Sequence, residues 1–167
     1  MSSLFLVPVD EPSFRRTLES PIDLTPVPES DRPDGGIPDR ARVWGVRTDR
    51  EQGDWERNRR NWNRMESGDA LLFYRNSESR YTASGRVGRM FETEYVRDEH
   101  WEGGPATSVF TVKGYNESPD LDTTEVNSIL GYKEGFYPQG LWRVTDDRPT
   151  DRLLTRIALD ADLRHNG

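Results

Sequence analysis

The stretch that decides the fold is Gly68-Asp69-Ala70-Leu71-Leu72-Phe73-Tyr74. Its first two residues predict a turn, and the apolar run 70–74 is the strongest strand signal in the chain. Residues 75–80 are polar and turn-like, and the run 81–90 returns as a second strand. The two runs are therefore predicted to pair as a hairpin.

Towards the N-terminus, the apolar run 4–9 is typical of a buried strand. Asp10 then precedes a helix predicted over 11–18, in which Pro12 suits the first turn. Residues 25–40 are rich in proline and glycine and predict a long surface loop. A further strand with a turn after it is predicted over 42–48.

The segment from Trp55 to Met65 has the apolar spacing of an amphipathic helix, which assigns Trp55 and Trp62 to the core. Beyond the hairpin, residues 108–112 and 140–144 predict two more strands, and 153–158 predict a final helix.

A short helix that ends at Gly131 is predicted before the last strand, capped by Thr123 or Thr124. Strands outnumber helices in this order. The order predicts an α+β fold, a curved mixed sheet or β-barrel with peripheral helices.

The composition suits one domain with a small aromatic core. The chain has 167 residues, of which 32% are hydrophobic, and it contains 5 Trp, 6 Tyr and 6 Phe. A length of roughly 100–200 residues usually means a single domain, and aromatic side chains bury large areas. The aromatic content therefore argues against disorder.

The charged residues are skewed towards acids and arginine. There are 30 Asp and Glu against 23 Lys and Arg, for a net charge of -7, and only Lys113 and Lys133 are lysines. We interpret this surface as an adaptation to high salt, with GC-rich codon usage as the alternative. An acidic balance normally argues against nucleic acid as a partner. In a halophile the acidity reflects the solvent, so it does not decide the partner.

The chain has no cysteine, which excludes disulfides, thiol nucleophiles and cysteine-based metal sites. It has no apolar run of ~18 residues and no signal-peptide pattern at its N-terminus. We therefore expect a soluble, cytoplasmic protein.

The catalytic inventory is thin. His100 and His165 are the only histidines, and the run Asp98-Glu99-His100 is expected to be a solvated polar loop. No phosphate-binding loop, dinucleotide glycine pattern or nucleophile elbow occurs. We expect no metal and no cofactor, and a chain that is not an enzyme by itself. A small-molecule enzyme that uses His100 is the alternative.

Two tryptophans stand where strands meet loops. Trp44 precedes Gly45 at the end of a strand, and Trp101 begins the glycine-rich loop 102–105. Such a pair can sandwich a flat ligand, since stacking on an aromatic ring contributes about 1–3 kcal/mol per base. The alternative is that both are core anchors. The helix predicted from Trp55 to Met65 carries Arg57, Arg59 and Arg60. These arginines either contact phosphates or form a solvated helix face.

The segments 43–47, 61–65, 68–74 and 83–87 together resemble the EVE branch of the PUA-like superfamily. The pattern is a strand ending in W-x-V-R, a helix with N-x-x-x-M, then G-D-x-x-x-F-Y and a returning strand with G-x-x-x-V. The run 4–9 fits the first strand of that family. The resemblance covers roughly residues 3–146, and Phe136-Tyr137-Pro138-Gln139-Gly140 is similar to N-terminal sensor domains of haloarchaeal HNH-type restriction endonucleases. It implies a PUA-like (EVE/YTH) domain over 1–148 and a C-terminal helix and linker tail over 149–167.

The resemblance implies a DNA-binding reader of modified bases that flips a base into an aromatic pocket. Trp44 and Trp101 match the walls, and Asp10 corresponds to the residue that reads the base edge. Gly45 stands where some relatives have serine, so only its backbone amide can serve. The remaining residues implied for the pocket are Val46, Arg47 and Ser84, and those implied for the nucleic-acid backbone are Arg57, Arg59, Arg60, Arg75 and Arg80.

The implied partner is duplex DNA with 5-methylcytosine or 5-hydroxymethylcytosine, read for a modification-dependent (type IV) restriction endonuclease. Because no nuclease motif occurs in the 167 residues, an HNH nuclease would be fused or a partner chain. The alternatives are an N6-methyladenine reader and a PUA-like RNA-binding protein.

Overall fold

The structure, a computed structural model, describes residues 3–48, 54–102 and 106–166. The strands are β1 (Leu4–Val9), β2 (Ile22–Asp23), β3 (Arg40–Val46), β4 (Ala70–Arg75), β5 (Arg80–Glu92), β6 (Ser108–Asn116), β7 (Leu121–Asp122) and β8 (Trp142–Val144). The helices are α1 (Glu11–Thr17), α2 (Asp54–Arg64), α3 (Tyr95–His100), α4 (Thr123–Leu130) and α5 (Thr150–Asn166), with a 3₁₀ turn at Glu29–Asp31.

The strands form one mixed sheet in the order β2-β3-β6-β5-β4-β1-β8, with β7 paired to β5. The predicted hairpin is its centre, since β4 and β5 pair antiparallel from Ala70↔Arg86 to Arg75↔Arg80. β1 runs parallel to β4 and antiparallel to β8. Register shifts along β5 interrupt its ladders with both neighbours, and such bulges bend and twist a sheet.

Both faces of the sheet are buried, and the alternation of β1 shows how the chain divides its core. Phe5, Val7 and Val9 join a cluster that also contains Trp44 and Phe110. Successive strand residues point to opposite faces, so the other residues of β1 contribute to a second cluster. That cluster includes Leu4, Leu6, Tyr81, Val126 and Leu153.

The predicted elements are present, and the structure adds the two-residue strands β2 and β7, which were not predicted. The cap of α4 is Asp122, whose side chain accepts from the backbone N–H of Glu125, and neither predicted threonine serves. Residues 98–100, expected as a polar loop, belong to helix α3, which buries Val96. The last strand is shorter than predicted, Trp142–Val144, and the final helix is longer, Thr150–Asn166.

Within the predicted tail 149–167, α5 buries Leu153 and Ile157 against the second cluster. Its Arg156 also pairs with Glu125 of α4. Among the described residues, no helix is both long and apolar enough to cross a bilayer.

Candidate functional site

A cavity of about 410 Å³ lies where the last residues of β1 and β3 meet the end of α3. Its volume falls within the ~300–1,000 Å³ of small-ligand pockets. Six of the residues predicted for a pocket line it: Asp10, Trp44, Gly45, Val46, Arg47 and Trp101. The curvature of the sheet thus brings together residues separated by up to 91 positions in the sequence.

The two predicted walls do not face each other as parallel plates. The ring centroids of Trp44 and Trp101 are 6.0 Å apart, and their planes meet at 64°. A base between parallel rings needs about 7 Å between the ring planes, twice the ~3.5 Å contact distance. The structure therefore replaces the predicted sandwich with an edge-to-face corner.

Trp44 is a core residue as well as a wall of the cavity. It is 7% exposed and packs in the cluster that contains Val46 and Phe110, while its ring also borders the cavity. Trp101 is half-buried on the other face of β3, beside Val43. The alternative that both tryptophans anchor the core therefore holds in part for Trp44. Trp101 is less buried, so a larger part of its ring is available to the cavity.

Gly45 lets Trp101 reach its position. A Cβ on Gly45 would stand 2.5 Å from Cζ3 and 2.6 Å from Cη2 of Trp101, and 3.1 Å from Cβ of Ala106. Real Cβ contacts do not reach such distances, so any larger residue must displace the indole. Gly45 was predicted to contribute only its backbone amide. In the structure, its missing side chain also leaves the space in which the indole of Trp101 packs.

Arg16 of α1 contacts the residues on both sides of Trp101. Its guanidinium donates to the carbonyl of His100 at 3.1 Å and to Oε1 of Glu102 at 2.8 Å. Glu102 has a φ of 54°, in the left-handed region that residues other than glycine seldom adopt. Strained backbone of this kind often marks binding sites. Nε1 of Trp101 is buried without a hydrogen-bond partner among the described residues.

Asp10 caps helix α1 at the rim of the cavity. Its Oδ2 accepts the backbone N–H of Ser13 at 3.0 Å, an N-cap bond that Pro12 accompanies in the first turn. Asp10 is exposed, so its carboxylate remains accessible from the cavity. Because its capping bond fixes the side chain, Asp10 presents an oriented acceptor.

Asn58 and Gly140 complete the cavity and were not predicted. Oδ1 of Asn58 accepts the backbone N–H of Leu141 at 2.9 Å, and Asn61 donates to the carbonyl of Leu141 at 2.8 Å. Gly140 has a φ of +110°, and a Cβ there would stand 2.6 Å from Oδ1 of Asn58. A signal existed in the sequence, because Asn58 shares helical spacing with the apolar Trp62 and Met65.

Three of the arginines predicted for phosphate contacts lie on α2, whose Asn58 lines this cavity, but none of the three lines the cavity itself. Arg59 donates to the carbonyl of Thr48, which holds the chain that follows β3. Arg57 lies over the ring of Trp142, 5.4 Å from its centroid, and Arg60 is exposed. Arg47 is exposed and lines the cavity itself. The side chain of Trp55 lies outside the described residues.

Arg75 and Arg80 are engaged by carboxylates of the chain. Arg75 donates through Nε to Glu11 at 2.8 Å and lies over the ring of Phe14 at 4.6 Å. Arg80 donates to Asp120 at 2.7 Å. Both would have to exchange these partners to contact a phosphate.

Ser84 is not brought to the cavity. It lies on β5 opposite Leu72 and lines a separate space of about 210 Å³, which α5 also borders. Its predicted place in the pocket is therefore corrected by the structure. The alternation of β5 sends its side chain away from Trp44.

His100, the residue of the enzyme alternative, ends α3. Burial lowers its pKa, and its ring meets Tyr95 edge-on at 6.2 Å. Across the described residues, no three histidine, cysteine or carboxylate side chains lie close enough together to hold a metal ion. The acidic residues beside it in the sequence belong to a helix rather than to a loop.

These features define a class of protein, an α+β fold with a mixed sheet and a cavity at the ends of two strands. No protein-family profile matches the sequence, and no curated protein matches it significantly. Similarity to known proteins is found among solved structures.

The chain is similar to the N-terminal domain of Thermococcus gammatolerans McrB, solved bound to m5C DNA. The two are 16% identical, superpose with a TM-score of 0.62, and match over 93% of this chain and 99% of that one. Two more distant structures also match. They are protein Atu2648 from Agrobacterium tumefaciens (13% identity, TM-score 0.46, 87% of each chain) and human THYN1 in complex with 5-methylcytosine-containing DNA (15%, 0.42, 92% and 96%).

At 16% identity, the similarity to McrB establishes a shared fold. The predicted fold class, an α+β fold built on a mixed sheet with peripheral helices, is confirmed.

Proposed function

We propose that this protein reads 5-methylcytosine or 5-hydroxymethylcytosine in duplex DNA by taking the flipped base into the cavity between Trp44 and Trp101. The observation that carries the proposal is the cavity itself, where two indoles form a corner beside Asp10 and Arg47. The fold adds support, because it is shared with the McrB domain solved bound to m5C DNA.

The corner suits a modified pyrimidine. One face of the base stacks on one indole, and the added methyl group lies against the edge of the other. Stacking contributes about 1–3 kcal/mol per base, which offsets the few kcal/mol of unstacking that flipping costs. A methyl group in an apolar pocket adds ~1–3 kcal/mol of discrimination.

One phosphate contact comes from Arg47. It lines the cavity and is exposed, so its side chain can reach the backbone beside a flipped nucleotide. The rim also carries Asp10, and the chain has a net charge of -7. Affinity therefore rests on stacking and shape more than on charge, as is needed where salt is high and the Debye length is only ~3 Å at 1 M.

We further propose that the domain is the specificity module of a modification-dependent restriction endonuclease. Among the residues lining the cavity, Asp10 is the carboxylate and none is a histidine, so the residues favour binding over hydrolysis. The nuclease, of the HNH type, is assigned to a fused segment or to a partner chain.

The test compares duplexes that differ at one central base: cytosine, 5-methylcytosine, 5-hydroxymethylcytosine or N6-methyladenine. Wild type is expected to bind 5-methylcytosine DNA at least tenfold more tightly than unmodified DNA in fluorescence polarisation, given ~1–3 kcal/mol for a methyl group. Trp101→Ala should lose about tenfold or more, in line with ~1–3 kcal/mol of stacking. A 2-aminopurine next to the target base should brighten on binding as it unstacks.

The controls separate binding from folding. Trp44 contributes to the core, so Trp44→Ala is accompanied by thermal melts and by Trp44→Phe, which keeps an aromatic ring. Tyr137→Ala is the matched aromatic control, because Tyr137 is 46% exposed and stacks on Tyr74 outside the cavity. Equal binding of modified and unmodified DNA by wild type would overturn the proposal. A preference for RNA of the same sequence would favour an RNA-binding protein instead.

A further inference from the structure

Asn58 occupies a position that packing alone would give to an apolar residue. It shares one face of α2 with Trp62, in line with Met65 just after the helix, and it is 6% exposed. Helix stripes of this kind are normally apolar. A buried amide on such a stripe must hydrogen-bond or lose stability. Half of this amide is satisfied by the N–H of Leu141.

The orientation of the amide follows from that bond. The backbone N–H of Leu141 is a donor, so the atom that faces it must be the oxygen of Asn58. The NH₂ group is thereby directed away from Leu141. It makes no hydrogen bond to the part of the chain that the structure describes, and it is not sealed from solvent. Because Asn58 lines the cavity, this open side is the cavity.

The cavity therefore offers a fixed donor as well as a fixed acceptor. Asp10 uses Oδ2 to cap α1, and an ionised carboxylate only accepts hydrogen bonds. A ligand that satisfies both groups must present a donor and an acceptor on one edge. On their Watson–Crick edges, cytosine and adenine have an amino group beside an unprotonated ring nitrogen, whereas thymine and guanine have a carbonyl beside a ring N–H.

We infer that Asn58 is a specificity-determining residue: its NH₂ donates to the ring nitrogen of the bound base while Asp10 accepts from the amino group. The inference rests on the proposed function and deepens it, since it names the base edge that the cavity selects. It accounts for a buried amide that fixes Leu141 with one atom and keeps the other free. Asn61 holds the same residue from outside the cavity.

The decisive variant is Asn58→Asp, because it keeps an oxygen for Leu141 and replaces the donor with an acceptor. Targets are placed opposite an abasic site, so that the cost of unpairing is the same for 5-methylcytosine, N6-methyladenine and thymine. Wild type is expected to bind both amino bases more tightly than thymine. Asn58→Asp should weaken binding of 5-methylcytosine by about tenfold or more. The ratio of the affinity for 5-methylcytosine to the affinity for thymine should fall as well.

Asn61→Ala is the matched control. It removes the other bond to Leu141 without touching the cavity, so it should lower thermal stability and leave the ratio of 5-methylcytosine to thymine binding unchanged. If Asn58→Asp keeps wild-type affinity and selectivity, Asn58 is merely structural and the inference is wrong.

A change in the DNA instead of the protein tests the inference even if Asn58→Asp fails to fold. Replacing the target with 3-deaza-5-methylcytosine removes the ring nitrogen, and wild type should then lose about tenfold. Undiminished binding of that base would overturn the inference. Failure of the proposed function looks different, because wild type would then not distinguish methylated from unmethylated cytosine at all.

Discussion

Two aromatic clusters in this molecule use tryptophan in opposite ways. Beside α4, the ring centroids of Tyr132 and Phe136 are 4.4 Å apart, and the ring of Trp142 packs against both. Nε1 of Trp142 donates a hydrogen bond to the hydroxyl of Tyr132 at 2.9 Å. Beside β3, Trp44 and Trp101 meet at an edge over a cavity of about 410 Å³, and Nε1 of Trp101 has no partner among the described residues.

The rings of the first cluster, beside α4, pack against one another, whereas the rings of the second, beside β3, border an open cavity. The first is closed by its own hydrogen bond and by Arg148, whose guanidinium lies 4.0 Å above the ring of Tyr132. The second has no such internal bond between its two rings. Trp101 is positioned by Arg16, which binds the neighbouring Glu102, and by the space that Gly45 leaves for the indole. Substitutions in the first should affect stability, and substitutions in the second should affect binding.

The largest effect is expected from Trp142→Ala. It removes the ring that packs on Phe136 and leaves the hydroxyl of Tyr132 without its donor. Truncating a fully buried Trp costs about 3–5 kcal/mol, so the half-buried Trp142 should cost about 2–3 kcal/mol. Chemical denaturation should show the lost free energy of unfolding. Below the melting temperature, the ratio of methylated to unmethylated DNA binding should not change. A changed ratio would mean that the two clusters are coupled; Trp142→Phe, which keeps a ring, should fall between.

The next effect, about tenfold in affinity for methylated DNA, is expected from Gly45→Ala. The new methyl group must displace Trp101, and overpacking of this kind costs ~1–3 kcal/mol. The check is a cycle with Trp101→Ala. Once the indole is gone, the Gly45→Ala change should cost little more. Additive losses would show that Gly45 acts through something other than Trp101.

The smallest effect concerns the ion pair beneath the rim. Hydrogen bonds from Arg75, and then from Arg15 and Ser77, lower the pKa of Glu11 from its usual 4.5 to about 2. A depressed pKa in the folded state stabilises the fold above pH ~4.5, and that stability is lost as pH falls towards 2. Glu11→Gln should therefore flatten the decline of the melting temperature over this window relative to wild type.

The effect should also shrink in high salt, since exposed pairs are screened. Identical slopes for wild type and Glu11→Gln would show that the pair contributes nothing measurable. Trp142→Phe serves as the neutral contrast, because the hydrogen bond it removes joins Nε1 of Trp142 to the hydroxyl of Tyr132 and involves no carboxylate.

Much of the fold was predictable from local patterns. The runs at 4–9 and 70–74, the turn at Gly68-Asp69 and the stop at Gly131 were each identified by a pattern of a few neighbouring residues. Helix α3 was missed because its six residues are mostly polar and its single buried side chain, Val96, gives no periodicity. Asp122 was passed over as a cap because two threonines follow it, and all three are good N-cap residues.

The site was predictable in part. Asp10, Trp44 and Arg47, which follow or end strands, line the cavity because strand ends are where a sheet opens, and their roles in binding stay predictions. Ser84 was misplaced, since its side depends on the register of β5, and bulges change that register. Asn58 was missed because its partner, Leu141, is 83 residues away.

The sequence by itself determined the strands, the aromatic core and the residues that end β1 and β3, because hydrophobic periodicity and turn chemistry act between near neighbours in the chain. Only the tertiary structure decided that Trp44 and Trp101 meet at an angle, that Gly45 must lack a side chain, and that the amide of Asn58 opens into a cavity. Those outcomes depend on curvature and close packing between distant segments, which no local pattern records.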